Sequence, residues 1–355
     1  MLKHVVEKGE TLAKIANRYG VRAVDLLDSN SFIAHERSYV YPGTELLIPK
    51  SANSTFAAGP FECLYEYGYT ELLLDRNRLK QQRVKESVIG KSVMGKEIVA
   101  FEIGSGEIPI FYSGGWHANE WHTAKFLMTF LQTLIEAEVS KADLFGYSVY
   151  ELLKKVTLHL VPLVNPDGVE LVQQGIYPEH PFYEQVLAIN KGARTFDHWS
   201  SNIRGVDLNH QWPAGWEKEA AESPQQPWPR HYSGPSPLSE PEAIAIYEYT
   251  KANDFAYVLA FHSQGQEIYW GYKGFEPNVS KAMVERLSLM SSYKPVHTAD
   301  SDGGYKDWFI QETRRPGFTI EVGVGKNPLP LEAFGEIWSN NILLALEGLT
   351  LHELM

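Results

Sequence analysis

The 355-residue chain carries 32 Lys and Arg against 44 Asp and Glu, a formal charge of -12, with 44% hydrophobic and 21% charged residues. This is the composition of a soluble globular protein of about two domains with a sizeable core. It speaks against nucleic acid, which needs a basic face, and no apolar run reaches the ~20 residues of a membrane span. Cys63 is the sole cysteine, so an internal disulfide and Cys-x-x-Cys metal or redox chemistry are excluded.

Taken in chain order, residues 1–50 predict strand, helix, helix, strand. His4–Glu7 is β-like, Thr11 offers a helix N-cap, Gly20 stops that helix, residues 24–30 form a second short helix, and Glu45–Pro49 closes behind the Tyr41-Pro42-Gly43 turn. Charge is nearly balanced here, with seven Lys and Arg against six acids, so the negative excess resides in the remainder. Lys8-Gly9-Glu10-Thr11-Leu12, Ile15-Ala16, Tyr19-Gly20-Val21, Leu26-Leu27, Asn30, Pro42-Gly43 and Leu47-Ile48-Pro49 together resemble the LysM module. That resemblance implies binding of N-acetylglucosamine-containing glycan such as peptidoglycan or chitin. A single copy implies modest affinity without a multivalent partner.

Residues 51–60, small and polar, read as a linker, and 61–355 as a second domain. There the clearest strands are Ile108–Ser113, Thr157–Val164, Tyr257–His262 and Gly317–Val322. The clearest helices are Phe126–Ile135, Glu240–Thr250 and Ala282–Met290. Such alternation predicts an α/β domain with a mixed central sheet and helices on both faces. The stretch 175–235, rich in Trp, Pro and Asn, is too long to be a mere connector and is expected to wall a site.

At the end of the first of these strands, two glycines precede His117-Ala118-Asn119-Glu120. Open α/β sheets build their sites beyond the carboxyl ends of strands. A His and a Glu three apart share one side of a helical turn, and two imidazoles with one carboxylate are a common catalytic zinc set. His262, after an apolar run and before a Ser-Gln-Gly turn, supplies a third ligand. Glu321 is a carboxylate within the apolar strand Phe318-Thr319-Ile320-Glu321-Val322, where it needs a partner or a task.

With Val161-Pro162-Leu163-Val164-Asn165-Pro166-Asp167-Gly168, Arg204-Gly205-Val206-Asp207-Leu208-Asn209 and Gly303-Gly304-Tyr305-Lys306-Asp307-Trp308, these residues resemble the zinc metallocarboxypeptidase family of the carboxypeptidase A type, in order over 65–345. The resemblance implies one zinc ion per chain, His117, Glu120 and His262 as its ligands, and Glu321 as general base. It also implies an arginine for the oxyanion, for which Arg204 is the candidate and Arg194 the alternative, and Asn209 in binding the substrate carboxylate.

Three positions depart from that pattern. The arginine that clamps a free C-terminal carboxylate is His210 here, the mobile tyrosine is Ala299, and the arginine of the first motif is Asn119. Imidazole has neither the fixed fork nor the permanent charge of guanidinium. The resemblance places Lys306 at the floor of the primed-side pocket, where it is expected to favour a side chain ending in a carboxylate unless it pairs with Asp307.

Diaminopimelate has such a side chain, and with LysM on the same chain the combination resembles the γ-D-glutamyl-L-diamino acid endopeptidase subgroup. The expected activity is hydrolysis of the γ-D-glutamyl-diaminopimelate bond of peptidoglycan stem peptides. The alternatives are a carboxypeptidase for acidic C-terminal residues and an inactive glycan-binding protein. The start of the chain lacks the apolar core of a secretory signal. The expected location is therefore cytoplasmic, or spore- or wall-associated in a bacterium.

Overall fold

The computed structural model describes residues 65–355 apart from 81, 83, 299 and 300, together with 2–7, 10, 30–33, 40–49 and scattered single positions of the N-terminal part. The Thr11 cap, the Gly20 stop, the 51–60 linker, Cys63 and Ala299 lie outside the described residues.

In the N-terminal part, β1 (Leu2–Val5) and β2 (Glu45–Ile48) pair antiparallel, with Leu2 opposite Ile48. Between them Leu12, Ile15, Tyr19, Leu26 and Leu27 are helical, as the pattern predicts. Val6, Leu12, Ile15, Leu26, Ile33, Val40, Leu46 and Ile48 form the core. Asn30 ties helix to strand: its amide donates to the Leu26 and Leu47 carbonyls and accepts from the Leu47 N–H. One side chain thus replaces several backbone bonds that so short a ladder cannot supply.

The second part is built on β3 (Lys85–Lys91), β4 (Glu97–Gly104), β5 (Ile108–Ser113), a small hairpin of β6 (Asp143–Leu144) and β7 (Tyr147–Ser148), then β8 (Val156–Val161), β9 (Val258–His262), β10 (Glu267–Tyr269), β11 (Lys294–Val296) and β12 (Gly317–Glu321). Eight of these form one sheet in the order β11-β10-β12-β9-β5-β8-β4-β3. It is mixed: β12-β9-β5-β8 run parallel, whereas β3, β4 and β10 pair antiparallel with β4, β8 and β12. The predicted strands fall within a residue of these bounds, except that β8 ends at Val161 because Pro162 has no N–H to give the ladder.

Alternation along the strands covers both faces. Ile110, Tyr112, Leu259, Phe261, Phe318 and Ile320 face one core, packed by helices Trp121–Ser140, Val279–Ser291 and Phe334–Gly348. Phe111, Val258 and Ala260 face the other, under helices Pro241–Asn253 and Tyr305–Thr313. By the same parity His262 and Glu321 project on this second side, at the carboxyl ends of neighbouring strands. Among the described residues no helix is long and apolar enough to cross a membrane.

Candidate metal centre

The turn after β5 brings His117 and Glu120 together, with the Glu120 N–H donating to the His117 carbonyl at 3.2 Å before helix Trp121–Ser140 begins. Gly115 makes the turn at φ +60°, where a Cβ would lie 3.0 Å from the Pro162 carbonyl oxygen. β9 then delivers His262 from the adjacent strand. His117 Nδ1 lies 2.8 Å from Glu120 Oε1 and 3.4 Å from His262 Nδ1. His262 Nδ1 is 3.3 Å from Glu120 Oε2.

Two imidazole nitrogens facing each other beside a carboxylate are poorly satisfied by one another and well satisfied by a cation. The titration of the groups agrees. Burial opposes protonation of His117, but the Glu120 and Asp207 carboxylates outweigh it and hold the ring well above the ordinary histidine range. Burial would raise Glu120, but the charge of His117 and the bonds from both imidazoles draw it down to about 2. Burial holds His262 below the ordinary histidine range, and Asp207 is held well below the usual carboxylate range against its own burial by the charge of His117, so the two carboxylates outnumber the one charged imidazole. The donor set of two imidazoles and one carboxylate is one that zinc takes.

Neighbours fix these donors. Asp207 Oδ1 accepts from His117 Nε2 at 3.1 Å, which orients the ring with Nδ1 inward. Glu120 accepts from the Ser263 N–H at 3.1 Å and the Asn327 amide at 3.3 Å, and Asn327 also donates to the Ser263 carbonyl at 2.6 Å. Glu321 stands at the end of β12, opposite His262 in one register and Glu267 in the other. Burial, with the nearby Glu120 charge, pushes its carboxyl up to about 8.

Residues 69–343 match the zinc carboxypeptidase family model, and residues 4–49 match the LysM domain model. The chain belongs to the zinc carboxypeptidase family. It is 48% identical over 242 residues to "Gamma-D-glutamyl-L-diamino acid endopeptidase 1" of Lysinibacillus sphaericus, a match covering 68% of this chain and 61% of that protein. To an uncharacterized protein of Bacillus subtilis (strain 168) it is 40% identical over 243 residues, covering 68% and 65%. The match thus spans less than two thirds of either relative. The solved structure of thrombin activatable fibrinolysis inhibitor superposes with a TM-score of 0.64 at 17% identity, covering 84% of this chain and 80% of that one, and so shares the fold.

The other predicted residues of this zinc carboxypeptidase domain divide into two groups. Asn209 and His210 lie next to Asp207, the carboxylate behind His117, with the Asn209 N–H donating to Asp207 Oδ1 at 3.1 Å, and Lys306 follows Tyr305 on the neighbouring helix. Asn209 Oδ1 accepts from the Tyr305 N–H at 3.0 Å. His210 Nδ1 lies 3.0 Å from Glu219 Oε1, and its ring centroid is 5.4 Å from that of His231. Burial opposes protonation of His210, yet the Asp207 and Glu219 charges raise its pKa above the ordinary histidine value, at the position where the family pattern has guanidinium. Lys306 is buried at 5% exposure, paired with Asp307 at 2.5 Å and donating to the Gly271 carbonyl at 2.7 Å. It takes the Asp307 pairing held open at the sequence level, and so is a compensated cation.

Arg204 and Arg194 are engaged away from the triad. Arg204 is 44% exposed and lies 3.5 Å from Glu240, while Arg194 donates to the Tyr183 hydroxyl at 2.8 Å. Asn119 is buried and donates to the Asp197 carbonyl at 2.9 Å, tying the first turn to the 175–235 stretch, which contains the short helices Tyr183–Ile189 and Trp216–Glu222. Asp207, Glu219, His231 and Asn327 were not singled out in sequence. Asp207 stood inside a recognised motif, but only contact distances assign the others.

Proposed function

We propose that this protein hydrolyses the amide between γ-D-glutamate and a diamino acid in peptidoglycan stem peptides, with the LysM part holding it to N-acetylglucosamine-containing glycan. The observation that carries this reading is the replacement of a guanidinium clamp by His210, wedged between Asp207 and Glu219, beside an intact triad. An enzyme that requires a free C-terminal carboxylate gains most from a rigid bidentate fork. An imidazolium still binds a carboxylate by charge, with less geometric demand. The Lysinibacillus relative, a γ-D-glutamyl-L-diamino acid endopeptidase by name, supports the same substrate class.

His117, Glu120 and His262 would hold zinc, which when bound supplies Lewis acidity to activate water and polarise a carbonyl. Glu321 accepts the proton of the attacking water and passes it to the departing amine. Asp207 keeps the His117 ring oriented throughout. Asn209 and His210 bind the carboxylate of the residue after the cut. Arg204, half exposed and 3.5 Å from Glu240, is the arginine this reading assigns to the oxyanion.

Incubation with L-Ala-γ-D-Glu-meso-diaminopimelate is expected to release free diaminopimelate. Failure on this peptide and its longer stem forms, with efficient removal of C-terminal Asp or Glu from ordinary peptides, would establish the acidic carboxypeptidase instead. The LysM part of this reading implies association with a bacterial cell wall.

A further inference from the structure

Lys306 is buried and already neutralised, so it does not by itself explain recognition of a diamino acid. A second charged group stands on the other side of Tyr272. Asp302, 5% exposed, accepts from the Tyr272 hydroxyl at 2.7 Å and pairs with Lys273 at 2.7 Å and Lys218 at 3.2 Å. Tyr272 spans the two groups, with its hydroxyl on Asp302 and its ring centroid 6.0 Å from Lys306 Nζ.

Asp302 is also wired to the substrate end of the site. Its N–H donates to Glu219 Oε2 at 2.8 Å, and the other oxygen of Glu219 lies 3.0 Å from His210. Gly303 follows Asp302 in the chain and bonds back to the Ala214 carbonyl, bringing the 303–307 turn against the strand of chain that holds His210. The approach is close: Gly215 has φ +69°, and a Cβ there would lie 2.6 Å from Asp302 Cγ. A larger residue would push the carboxylate away.

The partners of Asp302 differ in permanence. Asp302 is almost fully enclosed and needs a cation in every state. Lys273 and Lys218 are 49% and 63% exposed, and half-exposed ion pairs on long side chains are weak and easily exchanged. A ligand ammonium can therefore replace Lys273 on Asp302, and the released lysine is then beside the same point, ready for an anion.

We infer that the Asp302–Lys273 pair, walled by Tyr272, reads a zwitterionic amino-carboxylate group at the end of the side chain following the scissile bond. In such a group one carbon carries both charges, so a reader must present anion and cation side by side, as this pair does. Asp302 takes the ammonium and Lys273 the carboxylate. The inference rests on the proposed function and sharpens it. It separates a diaminopimelate reader from a pocket for Asp or Glu, which would need only the cation.

The test compares kcat/KM of the full chain on L-Ala-γ-D-Glu joined to meso-diaminopimelate, to 2-aminopimelate, which lacks the distal ammonium, and to lysine, which lacks the distal carboxylate. Wild type is expected to prefer diaminopimelate by about tenfold or more over each, since a site that pairs with a group rejects the analogue without it. Asp302→Asn is expected to bring the preference over 2-aminopimelate to within about threefold, and Lys273→Met that over lysine. If Asp302→Asn does not fold, Lys273→Met and the wild-type ratios decide. Unchanged ratios in folded, zinc-loaded variants would overturn the inference, as would a wild type that cleaves all three peptides equally. Cleavage of none would instead overturn the proposed function.

Discussion

His117 Nε2 lies 3.1 Å from Asp207 Oδ1, so the ring whose Nδ1 would face a metal is held from behind by a carboxylate buried to 1% exposure. This bond fixes the tautomer and raises the basicity of the ligand. Asp207→Asn is expected to weaken zinc binding by about tenfold to a hundredfold, measured by competition with a chelator. Unchanged affinity would mean that the turn alone orients His117.

In the proposed mechanism Glu321 and the triad have separable tasks. Glu321→Gln is expected to abolish turnover while zinc content, measured by atomic emission, stays near one per chain. His117→Ala is expected to lose both. Retained turnover in Glu321→Gln would remove it as the general base.

The burial of Lys306 makes its simplest variant a poor specificity probe. Lys306→Ala leaves Asp307 enclosed without its counter-charge, a change that costs about 3–5 kcal/mol in comparable buried pairs. Urea denaturation is expected to show that loss, and Lys306→Met combined with Asp307→Asn is expected to recover most of it. Equal stability of the single and double variants would show that the pair is not coupled.

Glu242 sets a pH dependence away from the catalytic centre. Burial pushes its carboxyl up to about 7, with Asp167 and Glu240 adding to the effect against the backbone bond from Val93. The folded state therefore binds the proton more tightly than the unfolded one. Below about pH 4.5 the carboxyl is neutral in both states, and its contribution is fully present. Between about 4.5 and 7 that contribution is lost, and above about 7 the loss is constant, on the order of 3 kcal/mol. Glu242→Gln is expected to raise the melting temperature at pH 8 and change it little at pH 4.5. The reverse pattern would show that the ionised form is the one stabilised.

For the LysM part, sedimentation of the full chain with insoluble peptidoglycan is expected, together with its release by soluble N-acetylglucosamine oligomers. Retention that high salt abolishes and the oligomers do not would point to charge, not glycan recognition.

The sequence carried the fold and the metal set because both are local patterns repeated in order. Apolar runs mark β5, β8, β9 and β12; His262 and Glu321 end β9 and β12, and His117 and Glu120 lie in the turn that follows β5. The short strand β10 and its neighbour β11 at the sheet edge escaped, having three residues each and little alternation to read. So did β3 and β4, where no site motif drew attention.

What a side chain is paired with was not legible, because partners meet across large separations in the chain. Asp207 reaches His117 over 90 residues, Asn327 reaches Glu120 over 207, and Asp302 reaches Glu219 over 83. Lys306 is the clearest case. Its position in a motif suggested a free cation for the substrate, and the alternative of pairing with Asp307 rested on adjacency alone. Only the folded chain, which closes the Gly271 carbonyl over its ammonium and buries both charges together, decided between them. Sequence determined which chemical groups this protein has at its strand ends. Tertiary structure decided which of those charges are already spoken for, because enclosure removes the water that would otherwise compete for each one.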